Sequence, residues 1–588
     1  MNKANKMFNL SRRELSKNIL VAGTLLGLTP LMPIAMAKSK KDSRFDQSHQ
    51  KSTLSGDEFF LTVGETLLNI TEKKRIATTI NGLIPGPTLR MKEGQTITIH
   101  VTNTLDVDTS IHWHGIILPY QMDGVPGISF VGIKAGQTFT YQFTLAQSGT
   151  YWYHSHSAFQ EMTGMYGGIV IETAEQKINI EQDKVIVLSD WTDENPMAVF
   201  GKLKTQGDYY NYNQPTLFDF FNDVEKSGLS GAIGKRKMWN EMRMSPTDLA
   251  DLSANTLTYL MNGQSSKNNW TTFFKQGEQI RLRFINGAGN SFFDVRIPGL
   301  KMTVVGADGG ELEPVEVDEF RFGPGETYDV LVKPAEAAYT IFAQAMDRSG
   351  YARGTLVSSP GLSAAVPALD PVQELTMVDM MGDMSSMDMG NMADMDMSKM
   401  DHSQMEMPAS RNKASQTVSH AIQEQGPSVD MRVDTPRINL DDPGVGLRNN
   451  GRRVLTLADL KTVGGVIDDR PVDRELELHL TGNMERYTWS FDGVEFGSST
   501  PIHLNYGERI RIILHNDTMM THPMHLHGMW SDLEDADGNF LARRHTIPVQ
   551  PAQRLRFLVS VDAKGQWAWH CHLLFHMEAG MFRKVVVS

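Results

Sequence analysis

The stretch "WHCHLLFHMEAGM", Trp569 to Met581, holds three histidines, two methionines and the only cysteine of the chain. Three further motifs carry imidazoles: "HWHG" (His112–Gly115), "HSH" (His154–His156) and "HPMHLHG" (His522–Gly528). In a β-strand, residues i and i+2 face one side and i+1 faces the other. The pairs His112/His114, His154/His156, His525/His527 and His570/His572 can therefore each direct two rings toward one region. Imidazole suits copper, zinc and iron. One such pair is often structural; four pairs point to a site that holds more than one metal.

Cys571 lies between His570 and His572, so it faces the other way, where it can meet His576 and His522. Two imidazoles, a thiolate and a weak axial thioether make a blue-copper ligand set, and Met581 is the axial candidate. The metal takes the place of the thiol proton. An electron arriving at Cys571 can then cross the two adjacent peptides to the metals held by His570 and His572. A one-electron entry site wired to a metal cluster suits a multi-electron acceptor. Reduction of dioxygen to two waters needs four electrons, a number that four copper ions can store.

The elements that must position these residues are legible as repeats. "EGQTITIHVTN" (Glu93–Asn103), "QGEQIRLRFIN" (Gln276–Asn286) and "YGERIRIILHN" (Tyr506–Asn516) each run from a Gly through alternating apolar residues to an Asn. The alternation is that of a half-buried strand. An Asn–Gly or Asp–Gly turn precedes each copy: Asn81–Gly82, Asn262–Gly263 and Asp492–Gly493. Three copies predict an all-β chain of three similar β-sandwich domains, at 55–175, 176–360 and 441–588. A second repeat joins only the outer two. "SGTYWYHSHSAFQEMTGMYGGIVI" (Ser148–Ile171) aligns without gaps on "KGQWAWHCHLLFHMEAGMFRKVVV" (Lys564–Val587), and "TSIHWHG" (Thr109–Gly115) aligns on "HPMHLHG". Cys571, His576 and His522 then face Ser155, Gln160 and Thr109, so the last domain carries the extra site. No histidine occurs between Ser157 and Asp401, which places the metal cluster at a seam between the first and third domains. The irregular stretch from Asn195 to Ala254 reads as a helical or loop insertion without an evident function.

Between the second and third domains, 361–440 reads as a linker of different composition. Met377 to Met407 contains 12 methionines and 6 aspartates, and its lack of apolar periodicity predicts little fixed structure. At the other end, "SRRELSK" (Ser11–Lys17), an apolar run from Ile19 to Leu28 and "AMA" (Ala35–Ala37) have the order of a twin-arginine export signal over 1–37. The apolar run is short for a membrane span, so no span is expected once the signal is removed. Removing it takes a net +4 from a chain of −13, leaving −17. That balance argues against a nucleic-acid partner. A single cysteine cannot form an internal disulfide.

Together, "HWHG", "HSH", "HPMHLHG" and "HCHLLFHMEAGM" resemble the signature of the three-domain multicopper oxidases, over essentially the whole chain after the signal. The resemblance implies cupredoxin-like Greek-key domains and four copper ions. Carried over by position, type 1 copper falls to His522, Cys571, His576 and Met581, and type 2 to His112 and His525. The type 3 pair falls to His114, His154, His156, His527, His570 and His572. The family's proton-relay acid corresponds to Asp123. A second acid usually lies near the final histidine, where this chain has Leu574 and Met577; Glu578 is the nearest substitute. The export signal, the "NDTMMTHPMHLHGMW" run and the Met/Asp-rich segment resemble the CopA-type copper-resistance oxidases. That resemblance implies a periplasmic enzyme oxidising Cu(I) with O2.

Thioether sulfur is soft and uncharged and prefers Cu(I), which favours the same donor independently. Asp517, Met519 and Met520, just before His522, form a candidate docking site for substrate copper. Met520 matches a substrate-copper ligand of related cuprous oxidases, while Thr518 stands where they carry an acid. Two other functions share these features: a laccase-type oxidase of phenols, and a non-enzymatic copper-sequestering protein. O2, Cu(I) and periplasmic copper carriers are the candidate partners.

Overall fold

The computed structural model describes residues 51–173, 180–383 and 418–588. The expected export signal and most of the methionine-rich stretch lie outside them. The described strands form six sheets, two from each third of the chain. In the first third, strands Glu58–Asn69, Lys74–Ile80, Thr96–Asn103 and Thr138–Thr144 make one sheet. The facing sheet holds His112–His114, Gly149–His154 and Tyr166–Glu172. The middle third pairs a seven-stranded with a five-stranded sheet, and the last third a six-stranded with a five-stranded one.

The repeated sequence is the shared central strand of each domain. Thr96–Asn103, Ile280–Asn286 and Arg509–Asn516 each run parallel to the domain's first long strand and antiparallel to a later one. The Asn that ends each copy explains its recurrence. Its amide donates to two carbonyls: Asn103 to Val107 and Ile133, Asn286 to Ser291 and Phe322, Asn516 to Met520 and Val549. Its side-chain oxygen accepts from the backbone two residues on. A buried strand end thus satisfies backbone groups that would otherwise be orphaned. The upstream turns have positive φ at both central residues (52° and 72° at Asn81–Gly82), the mirror-type hairpin geometry that Asn–Gly favours.

The insertion at 195–254 contains two helices. Pro196–Leu203 starts from an Asn195 cap, and Leu217–Met242 starts from a Thr216/Asp219 capping box. Phe200 of the first helix meets Tyr487 and Phe575 of the third domain at ring distances of 6.4 Å each. Lys204 donates to the Tyr487 carbonyl, and Arg243 pairs with Glu485. The insertion therefore lies against the third domain.

The region 361–440 differs from the expected loose linker where it is described. Met377–Met381 forms a capped helical turn with Met380 buried. Gly382 bridges to Thr435, and Arg437 to Gln553. Arg448 ion-pairs with Asp379 and Asp442. Regular apolar spacing is missing there because side-chain ion pairs and single bridges, rather than a strand or helix face, hold the chain in place.

The domains are tied through buried charges. Arg544 of the last third, fully buried, donates to Asp308 at 2.8 Å and Glu326 at 2.6 Å. Arg283 joins Asp183, Asp329 and the Thr150 hydroxyl of the first third.

Candidate metal centres

Strand His112–His114 pairs with Gly149–His154, and His522–Leu526 pairs with Gly565–Cys571. The two antiparallel strand pairs bring eight imidazoles together from the first and last thirds. His112 stacks on His527 with ring centres 4.0 Å apart, and His114 stacks on His525 at 3.7 Å. His154 lies 5.0 Å from His572, and His156 5.0 Å from His570. The seam expected between the outer domains is therefore where these rings meet. Groups with donor atoms within metal-ligand reach include His112/His525/His527, His114/His154/His572, His114/His525/His545 and His156/His527/His570.

Several observations fit bound metal. His112 Nε2, His154 Nε2, His156 Nε2, His525 Nε2 and both nitrogens of His114 and His572 are buried without a hydrogen-bond partner. Such orphans are costly unless a ligand meets them. Burial and neighbouring imidazoles push His114, His154, His156, His525, His527 and His572 well below their usual pKa, and His570 down to about 4. Neutral imidazole is the ligating form.

The opposite ring nitrogens are oriented. His112 Nδ1 donates to the Asp123 carbonyl at 2.8 Å, and His527 Nδ1 lies 3.0 Å from the Asp123 carboxylate. His525 Nδ1 donates to the His545 carbonyl at 2.7 Å. Such contacts fix which nitrogen faces a metal. Gly325, from the middle third, closes one wall. Its φ is +89°, and a Cβ there would lie 2.8 Å from His572.

Beyond Cys571 the strand ends in the short helix Leu574–Glu578. His522, Cys571 and His576 converge, with Sγ–Nδ1 distances of 3.5 and 3.8 Å and the two Nδ1 atoms 3.1 Å apart. All three are fully buried, and burial pushes the thiol pKa up. Met581 is buried beside them, tied by Cys571 N to the Met581 carbonyl and by Met581 N to the His576 carbonyl. The Cys571 carbonyl accepts from His570 Nδ1 at 2.9 Å, which adds a hydrogen-bonded link to the covalent one between the two donor sets. A thiol, two imidazoles and a thioether are donors suited to copper.

The remaining expected residues separate. Asp123 is buried at the histidine cluster. Glu578 is exposed, and none of the hydrogen bonds to these histidines among the described residues comes from it. Asp517, Met519 and Met520, the candidate docking residues for substrate copper, are all buried. Asn516 draws the Met520 carbonyl inward, and Asp517 turns to His479 at 2.6 Å.

Three residues were missed. Glu161, buried, lies 2.6 Å from His154 Nδ1, and burial raises its pKa well above the usual carboxylate range. In the outer-domain repeat it faces Met577, one of the two positions where an acid was sought, so the alignment held the signal. His545 lies 4.9 and 5.5 Å from His114 and His525, with a buried Nε2 lacking a partner. It has no paired spacing to reveal it. Asp251, from the middle-domain insertion, places Oδ2 3.0 Å from His576 Nε2, both side chains being fully buried. No local motif marks it.

Multicopper oxidase family models match residues 62–176, 182–361 and 469–588. Copper resistance protein A of Escherichia coli is 56% identical over 91% of this chain and 93% of its own. The copper resistance protein A homolog of Pseudomonas syringae pv. tomato is 53% identical over 98% of this chain and 99% of its own. The crystal structure of Fet3p, described as a multicopper oxidase that functions in iron import, superposes with a TM-score of 0.62. It is 19% identical, covers 91% of each chain and shows the likeness of fold. The chain belongs to the multicopper oxidases, as an oxidoreductase of the copper-resistance protein A type.

Proposed function

We propose that this protein is an exported oxidase that takes single electrons from Cu(I) and passes four to dioxygen, forming two waters, in the service of copper tolerance. Four Cu(I) become four Cu(II), and four protons are consumed. The twin-arginine pattern of residues 1–37 supports a periplasmic location, and the copper-resistance relatives support the role. Type 1 copper is assigned to His522, Cys571, His576 and Met581, and type 2 to His112 and His525. The type 3 pair is assigned to the triads His114/His154/His572 and His156/His527/His570. Bound copper supplies reversible one-electron redox chemistry in both places.

The chain's own groups do the rest. Trp489 stacks on His576 at 3.9 Å and keeps water from the ring. Asp123 holds His527 and lies among the histidines, where it can pass protons inward. Glu161 holds His154 on the opposite side.

One observation carries the choice of donor. His576 Nε2 does not open to solvent; it is covered by Asp251 under the helical insertion. A phenol ring has no edge of His576 to pack against, whereas an electron from a small cation reaches the imidazole through one carboxylate. Asp251→Ala should lower kcat/KM for Cu(I) by about tenfold or more, equivalent to roughly 1.4 kcal/mol, with the blue absorbance retained. Unchanged Cu(I) kinetics in a blue variant would remove Asp251 from the entry route.

A further inference from the structure

A second donor cluster stands apart from the copper centres, where the segment after the methionine-rich stretch meets the third domain. His420 precedes the 3-10 turn Ile422–Gln425 that contains Glu424. His479 lies on strand Arg474–Asn483, and Asp517 follows strand Arg509–Asn516. All four side chains are more than nine-tenths buried. Their atoms form a closed ring that alternates nitrogen and oxygen. His420 Nδ1 is 2.8 Å from Glu424 Oε2, which is 3.4 Å from His479 Nδ1. His479 Nδ1 is 2.6 Å from Asp517 Oδ2, which is 3.6 Å from His420 Nδ1.

Donor atoms held tetrahedrally at about 2.0 Å from an ion stand roughly 3.3 Å from one another. The four contacts straddle that spacing. The outer atoms of the cluster are held as a metal site requires. Asp517 Oδ1 accepts from Val433 N at 3.0 Å, and Glu424 Oε1 from Ala421 N at 3.3 Å, which turns each free oxygen into the ring. The outward nitrogens face carboxylates: His420 Nε2 is 3.3 Å from Asp434, and His479 Nε2 is 4.0 Å from Glu477. A carboxylate behind an imidazole, as Asp434 stands behind His420, is a common support for a metal ligand, whereas Glu477 is nearer to His515, at 2.8 Å. No lysine or arginine ion-pairs with Glu424 or Asp517 among the described residues. The groups that ion-pair with these two buried carboxylates are the two imidazoles themselves.

We propose that His420, Glu424, His479 and Asp517 bind one divalent copper ion, separate from the copper of the oxidase centres. Two imidazoles and two carboxylates form a nitrogen–oxygen set that suits Cu(II) rather than the cuprous ion preferred by thioethers. Among divalent ions of the first row, such a set binds Cu(II) most tightly. The site is thus matched in chemistry to the oxidised form of the metal. It is coupled to the type 1 centre by one residue: Thr518, next to Asp517, meets His522 Nε2 through its hydroxyl at 2.7 Å.

The test uses the full-length protein with its oxidase centres loaded, titrated with Cu(II) and compared with Glu424→Gln and His479→Gln. The wild type should take up one more Cu(II) per chain than either variant, with equal blue absorbance reporting intact folding. Pulsed electron paramagnetic resonance of that added ion should show coupling to two imidazole nitrogens, a readout that needs no variant. Equal copper content in wild type and blue variants would overturn the proposal and leave the cluster as a hydrogen-bonded latch. Uptake of one zinc ion that added Cu(II) does not displace would overturn it as well. None of these readouts depends on turnover, so the outcome is separable from that of the oxidase reaction.

Discussion

Cys571 stands between His570 and His572 because one thiol serves two directions. Strand alternation sends its sulfur toward His522 and His576, while its carbonyl takes a hydrogen bond from His570. Cys571→Ser should abolish the blue absorbance and oxygen consumption while the far-ultraviolet circular dichroism stays that of the parent. A blue, active variant would break the wire account. Asp123 acts at the other end, holding His527 and lying 3.3 Å from His112. Asp123→Ala should slow oxygen reduction by about a hundredfold, within the usual range for a positioned acid or base. Stopped-flow reoxidation under air then finds the type 1 centre held reduced; reoxidation at the parental rate would remove Asp123 from the relay. The eight histidines that meet at the seam were legible because H-x-H spacing recurs four times. Asp251 and His545 were not legible, because each reaches its partner from a distant segment and carries no spacing of its own.

At the scale of the element, the recurring strand that ends in Asn is the unit from which all three domains are made. The sequence showed the alternation and the Asn, but not that the Asn amide clamps two carbonyls of the following loop. That loop matters most in the third domain, where it leads from Asn516 through Thr518 to His522. Asn516→Ala removes the amide's bonds to the Met520 and Val549 carbonyls and takes the acceptor from the Thr518 amide, while the Met520 carbonyl keeps the Thr518 hydroxyl. It should cost about 3 kcal/mol of stability, read as a lowered midpoint in denaturant, and loosen type 1 copper first. A loss below about 0.5 kcal/mol would mean that water replaces the clamp. The candidate docking trio lies on this same loop. A clamped loop turns Asp517, Met519 and Met520 inward, a consequence of pairing that sequence order does not display. The insertion at 195–254 was legible as helix or loop. Its contact with His576 was not, since that contact lies between two domains.

For the whole molecule, the division of labour follows from which domain supplies which groups. The first and third domains share the histidine cluster. The middle domain adds no histidine, but it gives Gly325 to one wall and Asp251 to the other centre. Buried pairs such as Arg544 with Asp308 and Glu326 hold the parts in register. The proposed donor is Cu(I), whose electron would reach His576 through Asp251, which covers the ring. The most direct measurement is oxygen uptake by the copper-loaded protein, with Cu(I) or a small phenol as sole donor at equal concentration. Rapid uptake with Cu(I) is expected, one dioxygen consumed for every four Cu(I), with slow phenol turnover unless copper is added. Rapid phenol turnover without added copper, together with poor turnover of Cu(I), would contradict Cu(I) as the donor.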